Sequence, residues 1–345
     1  MTQHLHSHAT PEPTEVHGHS EHHGHGHAIS HLPSIDRRSL LLGVGVAASF
    51  GLLSAIARPQ AAQAVTKVGD TLPGFDAFSN SVKVLRSGKY YLVESSGIPA
   101  HNMMVGIKSW QQQVPNAQNY TGSRAWSIPA APVLSKSPMS AKQHFLRGAI
   151  ALAVNGVPIF NALNNRGDDA FLAGELDDWG GHCGRADDYH YHVAPLHLQS
   201  IVGRTSPIAY ALDGFPIYGA TEPDGSAVLG LDEFNGHFDK KKKYHYHGTS
   251  TYPYINGGFK GVVTEVDGQV APQPSATPYR EAGEPLRGAV ITNFIQTGPT
   301  AYDLTYTLNG GSYHVRYATS GNQMSVDYVD PQGGTRHEVY TQRTR

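Results

Sequence analysis

From Val65 onward the apolar residues of this chain come in short runs bounded by Gly, Pro, Asn and Asp, among them residues 90–93, 149–154, 261–263 and 302–308. Runs of that length between turn formers predict strands. Toward the C-terminus the alternation is regular: Leu304-Thr305-Tyr306-Thr307-Leu308, a Gly310-Gly311 turn, then Tyr313-His314-Val315-Arg316-Tyr317. Period-two alternation around a glycine pair predicts a hairpin, followed by one or two more strands. No heptad or strong 3.6-residue pattern is present, and Pro or Gly interrupts most windows. The expected fold class is all-β, or β-rich with few short helices. Residues 65–345 read as a single β-rich domain, with a lead-in to about Gly148, a long loop over 269–285 and a C-terminal β segment over 285–345.

The pattern also repeats. Ala153-Val154-Asn155-Gly156-Val157-Pro158-Ile159-Phe160 matches Ala211-Leu212-Asp213-Gly214-Phe215-Pro216-Ile217-Tyr218, with four identities and four conservative changes. Downstream, Gly181-His182 precedes Tyr189-His190-Tyr191-His192 by the same gap that separates Gly236-His237 from Tyr244-His245-Tyr246-His247. Two ordered matches at nearly constant offset predict a tandem duplication, with copies at 153–192 and 211–247 forming a pseudo-twofold unit. In each copy Asn-Gly or Asp-Gly predicts a type I′ hairpin turn, which needs positive φ at both central residues. A second short strand follows. Pro158 and Pro216 lack an amide donor, so that strand is expected at a sheet edge or beginning after the proline.

The Tyr-His-Tyr-His pair, the preceding Gly180-Gly181-His182 and Asn235-Gly236-His237, and the run from Leu212 to Gly219 together resemble the YHYH-domain family of bacterial exported proteins. The resemblance covers roughly residues 90–262. It implies the fold unit and export, and no particular reaction.

Alternate residues of a strand face opposite ways, so His190 and His192 share one face and Tyr189 and Tyr191 the other. Two imidazoles about 6.5–7 Å apart along a strand can converge on one ion when a third ligand arrives from a loop. His182 and His237 stand at the matching place in each copy, which predicts two three-histidine metal sites: His182, His190, His192 and His237, His245, His247. One centre shared by the two Tyr-His-Tyr-His strands is the alternative geometry. The competing reading without metal is a buried network of histidines with Asp187, Asp188 or Asp239, the tyrosines filling the core. Weaker candidates are His101 beside Met103 and Met104, soft donors suited to copper(I); His197; and Cys183, which has Phe238 as its counterpart. Asp168-Asp169, Asp177-Asp178 and Asp187-Asp188 are candidate acceptors for orienting imidazoles. Lys240 to Lys243 form a basic lip too short to imply nucleic-acid binding.

Composition sharpens this picture at three points. Twenty-one histidines is a large number for 345 residues, whereas the net charge of −2 suggests no polyanionic partner such as nucleic acid. A single cysteine excludes an intramolecular disulfide and a four-cysteine zinc site. Ten of the histidines lie in residues 4–31, a low-complexity, metal-chelating stretch. Arg37-Arg38, the uncharged run over 40–57 and Ala62-Gln63-Ala64 then resemble a twin-arginine signal with its cleavage site, so that residues 1–64 form a removable leader. The expectation is an exported periplasmic or secreted protein, handled by the twin-arginine machinery, with no permanent membrane anchor. Its expected cofactor is a transition metal ion, copper or zinc. Function divides between metal binding or carriage and a metal-dependent hydrolase or oxidoreductase built on a three-histidine centre. A structural protein with a buried His/Tyr network is the third possibility.

Overall fold

The computed structural model describes residues 71–342, so the leader and export signal expected in 1–64 lie outside the described residues. Strands dominate, and α1 (Gln199–Val202) is the one α-helix among the described residues. A three-stranded antiparallel sheet of β1 (Lys83–Ser87), β2 (Tyr90–Glu94) and β3 (Trp126–Pro129) comes first. β4 (Leu134–Ser140) follows it and leads into the central sheet.

That sheet has eight strands: β5 (Ala149–Ala153), β6 (Pro158–Phe160), β7 (Gly181–Cys183), β8 (Tyr189–Tyr191), β9 (Ala209–Ala211), β10 (Pro216–Tyr218), β11 (Gly236–Phe238) and β12 (Tyr244–His247). Their order is β11-β12-β10-β9-β5-β6-β8-β7, which reads the same from either end when β5–β8 are set against β9–β12. β5 and β9 meet antiparallel at the centre with Ala151 opposite Ala211, Leu152 opposite Tyr210 and Ala153 opposite Ala209. A local twofold axis therefore passes between Leu152 and Tyr210. In each half the Tyr-His-Tyr-His strand lies parallel to the strand after the glycine turn and antiparallel to the Gly-His strand at the edge.

β13 (Gly258–Gly261) pairs with β4, and β14 (Thr264–Val266) forms a hairpin with β15 (Gln269–Ala271). The chain ends in a five-stranded antiparallel meander of β16 (Val290–Gly298), β17 (Ala301–Leu308), β18 (Gly311–Ser320), β19 (Gln323–Val329) and β20 (Thr335–Thr341). The alternating C-terminal sequence thus yields five strands where a hairpin with one or two more was expected. Val262 and Val263, expected within a strand, instead link β13 to β14.

Two local expectations are corrected. The turns after β5 and β9 are not type I′, because only Gly156 (φ 81°) and Gly214 (φ 94°) take positive φ. Asn155 and Asp213 keep ordinary backbone angles, and their side-chain oxygens accept the amides of Val157 (3.3 Å) and Phe215 (3.1 Å). That local side-chain bond supplies the turn geometry that a second positive φ would otherwise give. Nor do Pro158 and Pro216 drive their strands to an edge. Each opens its strand, where a missing amide is tolerated, and β6 and β10 lie inside the sheet.

Ile150, Leu152, Ile159, Ile208 and Ile217 are wholly inaccessible, each contributing ~1.5–3 kcal/mol by burial. The meander is fastened to the first half of the central sheet. Tyr317 donates to the Pro115 carbonyl (2.6 Å), and the Asn116 amide donates to the Asp187 carbonyl (2.8 Å). Arg280 grips both oxygens of buried Asp187 at 2.9 and 3.0 Å, two residues before β8 begins. Replacing Arg280 by Ala strands that carboxylate in the interior. The expected cost is ~3–5 kcal/mol, read as a lower urea midpoint with little change in slope.

Candidate metal centres

Register brings the histidines together. At one end of the central sheet His182 on β7 stands directly opposite His190 on β8, with His192 two residues further on. At the other end His237 on β11 faces His245 on β12, with His247 beyond. The third ligand of each group, expected from a loop, therefore comes from an edge strand. β8 and β12 are separated by β10, β9, β5 and β6, roughly 24 Å at ordinary strand spacing. That separation leaves two groups and no shared four-histidine centre.

In the first group the Nε2 atom of His192 lies 3.2 Å from that of His190 and 3.0 Å from that of His182. In the second, Nε2 of His245 lies 3.0 Å from that of His237 and 3.1 Å from that of His247. A tetrahedral ion with bonds of about 2.0–2.1 Å to nitrogen holds its donors about 3.3 Å apart, so both groups have the dimensions of a coordination shell. Sequence reasoning missed a fourth member, Glu222. Its Oε1 is 2.9 Å from His237 Nε2 and 3.6 Å from His247 Nε2, and its Oε2 is 3.4 Å from His245 Nε2. The ligand atoms of His182, His190 and His192, and those of Glu222, His237, His245 and His247, form two groups that could each hold a metal ion.

The other ring nitrogen of four of these histidines is committed to a main-chain carbonyl. Nδ1 of His190 lies 3.0 Å from the Asp188 oxygen, that of His192 2.5 Å from Asn161, that of His237 2.9 Å from Leu229 and that of His247 2.9 Å from Gly219. The carbonyls of Glu175 and Lys243 act on His182 and His245 in the same sense, favouring a protonated ring. A carbonyl only accepts, so in those four rings Nδ1 carries the proton and Nε2 turns a lone pair inward. Burial, reinforced by the neighbouring imidazoles, holds His182 and His190 well below the ordinary histidine range. Burial also brings His192 and His247 down to about 4. The neutral, metal-ready form is therefore the favoured one.

The tyrosines occupy the other face, as alternation predicts. Tyr189 donates to Asp177 (2.8 Å), Tyr244 to both oxygens of Asp232 (3.0 Å) and Tyr246 to Asp213 (2.6 Å). Asp177 and Asp232 also accept the amides of Gly181 and Gly236, tying the edge strand to the turn before it. Glycine is needed there for space. A Cβ on Gly181 would lie 2.5 Å from the Tyr189 hydroxyl, and one on Gly236 only 2.1 Å from that of Tyr244.

The remaining candidates fall outside both groups. Cys183 faces away from His182 into the core, its Sγ 3.5 Å from Met104 Sδ, and burial pushes its thiol up. Met103 and Met104 are buried core residues. His101 accepts from Tyr191 at 2.6 Å and stacks on Trp179, while His197 packs edge-on against His101. Of the acidic pairs, Asp177 serves Tyr189, Asp187 serves Arg280, and Asp169 accepts from Tyr254. Asp188 lies 3.8 Å from His190 Nδ1, and Asp239 accepts the amides of Lys241 and Lys243. Carbonyls, rather than these carboxylates, orient the imidazoles.

One signal for Glu222 was present in the sequence. Extending the repeat past Phe160 and Tyr218 aligns Ala162 with Ala220, Asn164 with Glu222 and Gly167 with Gly225. The bridges Leu163–Asp169 and Thr221–Ala227 confirm that these loops match in structure.

Residues 125–228 match the family model described as YHYH protein, so the chain carries a YHYH domain. The matched span is shorter than the resemblance read from the motifs. It contains the whole first group and Glu222, and ends before His237. No curated protein and no solved structure matches the chain.

The fit of Tyr189 across Gly181 gives a direct test. Gly181→Ala should displace the hydroxyl from Asp177 and leave a buried acceptor short of a donor, lowering stability by ~1–3 kcal/mol in urea denaturation.

Proposed function

Taking the YHYH domain as the frame, we propose that the chain binds transition metal at two separate sites: His182, His190 and His192 in the first, and Glu222, His237, His245 and His247 in the second. The observation that supports this reading is the common tautomer. Inward-facing lone pairs with nitrogens 3.0–3.2 Å apart repel one another unless a cation lies among them. In the second group a carboxylate joins the lone pairs and strengthens the demand for positive charge. A divalent ion turns the repulsion into coordination, and carbonyl bonds at Nδ1 are the usual outer support for such ligands. The imidazole and carboxylate donors support zinc or copper(II). Met103 and Met104, which suggested copper(I), are buried, and the Met104 sulfur lies against Cys183.

A metal-dependent enzyme is the second reading, favoured by one observation. The first group borders a cleft of about 180 Å³, which a fourth coordination position would face. Three imidazoles with an open position is the arrangement used to activate water or polarise a substrate.

The leader supports an exported destination. Arg37-Arg38, the apolar run and Ala62-Gln63-Ala64 fit twin-arginine export with a mature N-terminus at Val65, in the periplasm or beyond the cell. Among the described residues no helix is long and apolar enough to cross a membrane. The ten histidines of residues 4–31 would gather metal before the leader is removed.

Elemental analysis of the protein purified from its exported state tests the main reading. Two equivalents of metal are expected, one lost in His190→Ala and the other in His245→Ala. Absence of metal under every loading condition sinks the proposal. Deleting residues 2–31 should lower the metal content of the exported protein, and an unchanged content removes the leader's gathering role.

A further inference from the structure

We infer that the two centres have different ligands: the first takes a small external oxyanion as its fourth donor, whereas the second is closed by its own carboxylate. This rests on the metal-binding reading and deepens it. The two halves hold their three imidazoles in the same way, on the same strands and through main-chain acceptors. The loop after β6 or β10 then sets them apart. In the second half it carries Glu222, whose Oε1 sits 2.9 Å from His237 Nε2, at the place a fourth ligand would occupy. In the first half the matching residue is Asn164, which shares the cleft wall with the histidines but whose side-chain atoms are committed elsewhere. Its Nδ2 donates to buried Glu175 (3.2 Å), and its Oδ1 accepts the amides of Arg166 (2.9 Å) and Asp168 (3.1 Å). The first centre therefore has no carboxylate of its own, and the space beside it is the cleft lined by His182, His190 and His192.

The charge around that cleft identifies the missing donor. Arg147, Arg166 and Arg185 line it. Arg166 is neutralised by Asp168 and Glu175. Arg147 and Arg185 are exposed and have no ion-pair partner among the described residues. Glu175 is the acidic residue on the wall, and it is already bonded to Arg166 and Asn164. Three neutral imidazoles leave a bound divalent ion with its full charge, and two free guanidiniums add to it. Guanidinium and a metal ion both favour carboxylate and phosphate oxygens. The occupant that fits is a small molecule bearing a carboxylate or phosphate group, coordinating the metal as Glu222 is placed to do in the second centre.

Cobalt(II) loaded into the full chain provides the test, because its visible bands report each change of ligand. His245→Ala isolates the first centre and His190→Ala the second, and each is titrated with acetate and with inorganic phosphate. The first centre should respond saturably and the second should not. Replacing Arg147 and Arg185 together by Ala should weaken the response by about tenfold. Asn164→Glu should abolish the response at the first centre. Glu222→Gln should create one at the second, a gain that a folding defect cannot mimic. A first centre whose bands move with neither anion, or a second that responds as readily as the first, overturns the inference while leaving metal binding intact. A chain that takes up no cobalt at either centre overturns both readings before any anion is added.

Discussion

Everything at the two centres depends on one hydrogen bond made four times, twice in each half: an imidazole Nδ1–H donated to a main-chain carbonyl. That bond selects the tautomer, fixes the ring plane and leaves Nε2 as an unprotonated donor. Main-chain acceptors do this more reliably than side chains, because the sheet and its turns already hold them. His192 and His247 bond to the residue just after β6 and β10, and His190 to the residue just before its own strand. The orientation of the donors is therefore a consequence of register. A one-residue slip would turn each strand over and exchange histidines for tyrosines.

The second face of the same strands secures that register. Each first tyrosine of Tyr-His-Tyr-His crosses the edge strand above a glycine and donates to an aspartate in the preceding turn. The same aspartate accepts that glycine's amide, so one carboxylate holds the turn, the edge strand and the central strand together. Burial pushes Asp177 up to about 6, and it does the same to Asp213, which accepts from the second tyrosine of the other strand, Tyr246. Histidine placement and tyrosine anchoring are thus two faces of one alternating tetrapeptide.

Much of this was legible in the sequence because it is local or repeated. Alternation separated histidines from tyrosines, and the constant gap to Gly-His identified His182 and His237. What escaped depends on contacts between distant segments. Nothing local shows that Gly-His forms an edge strand opposite His190 or His245. The Asn-Gly and Asp-Gly pairs suggested a turn type that the side-chain oxygens of Asn155 and Asp213 replace. Asp177 is legible as an acceptor, but the side chain it serves across the fold is Tyr189 and not a histidine. Glu222 stands outside the matching positions of the repeat, because its counterpart is an asparagine, Asn164.

That difference between Asn164 and Glu222 follows from how the halves are built. Since main-chain atoms orient imidazoles in both halves, side chains around them can differ without disturbing the donors. Phe160 stacks on His190 with ring centres 3.8 Å apart, whereas Tyr218 meets His245 edge-on. Cys183 lies buried where Phe238 is exposed. Asn155 donates to Tyr191, whereas Asp213 accepts from Tyr246. The same three-histidine frame survives every one of these exchanges. A scaffold of this kind can keep one centre sealed by its own carboxylate and turn the other toward a cleft, because the geometry that both require is held in the backbone.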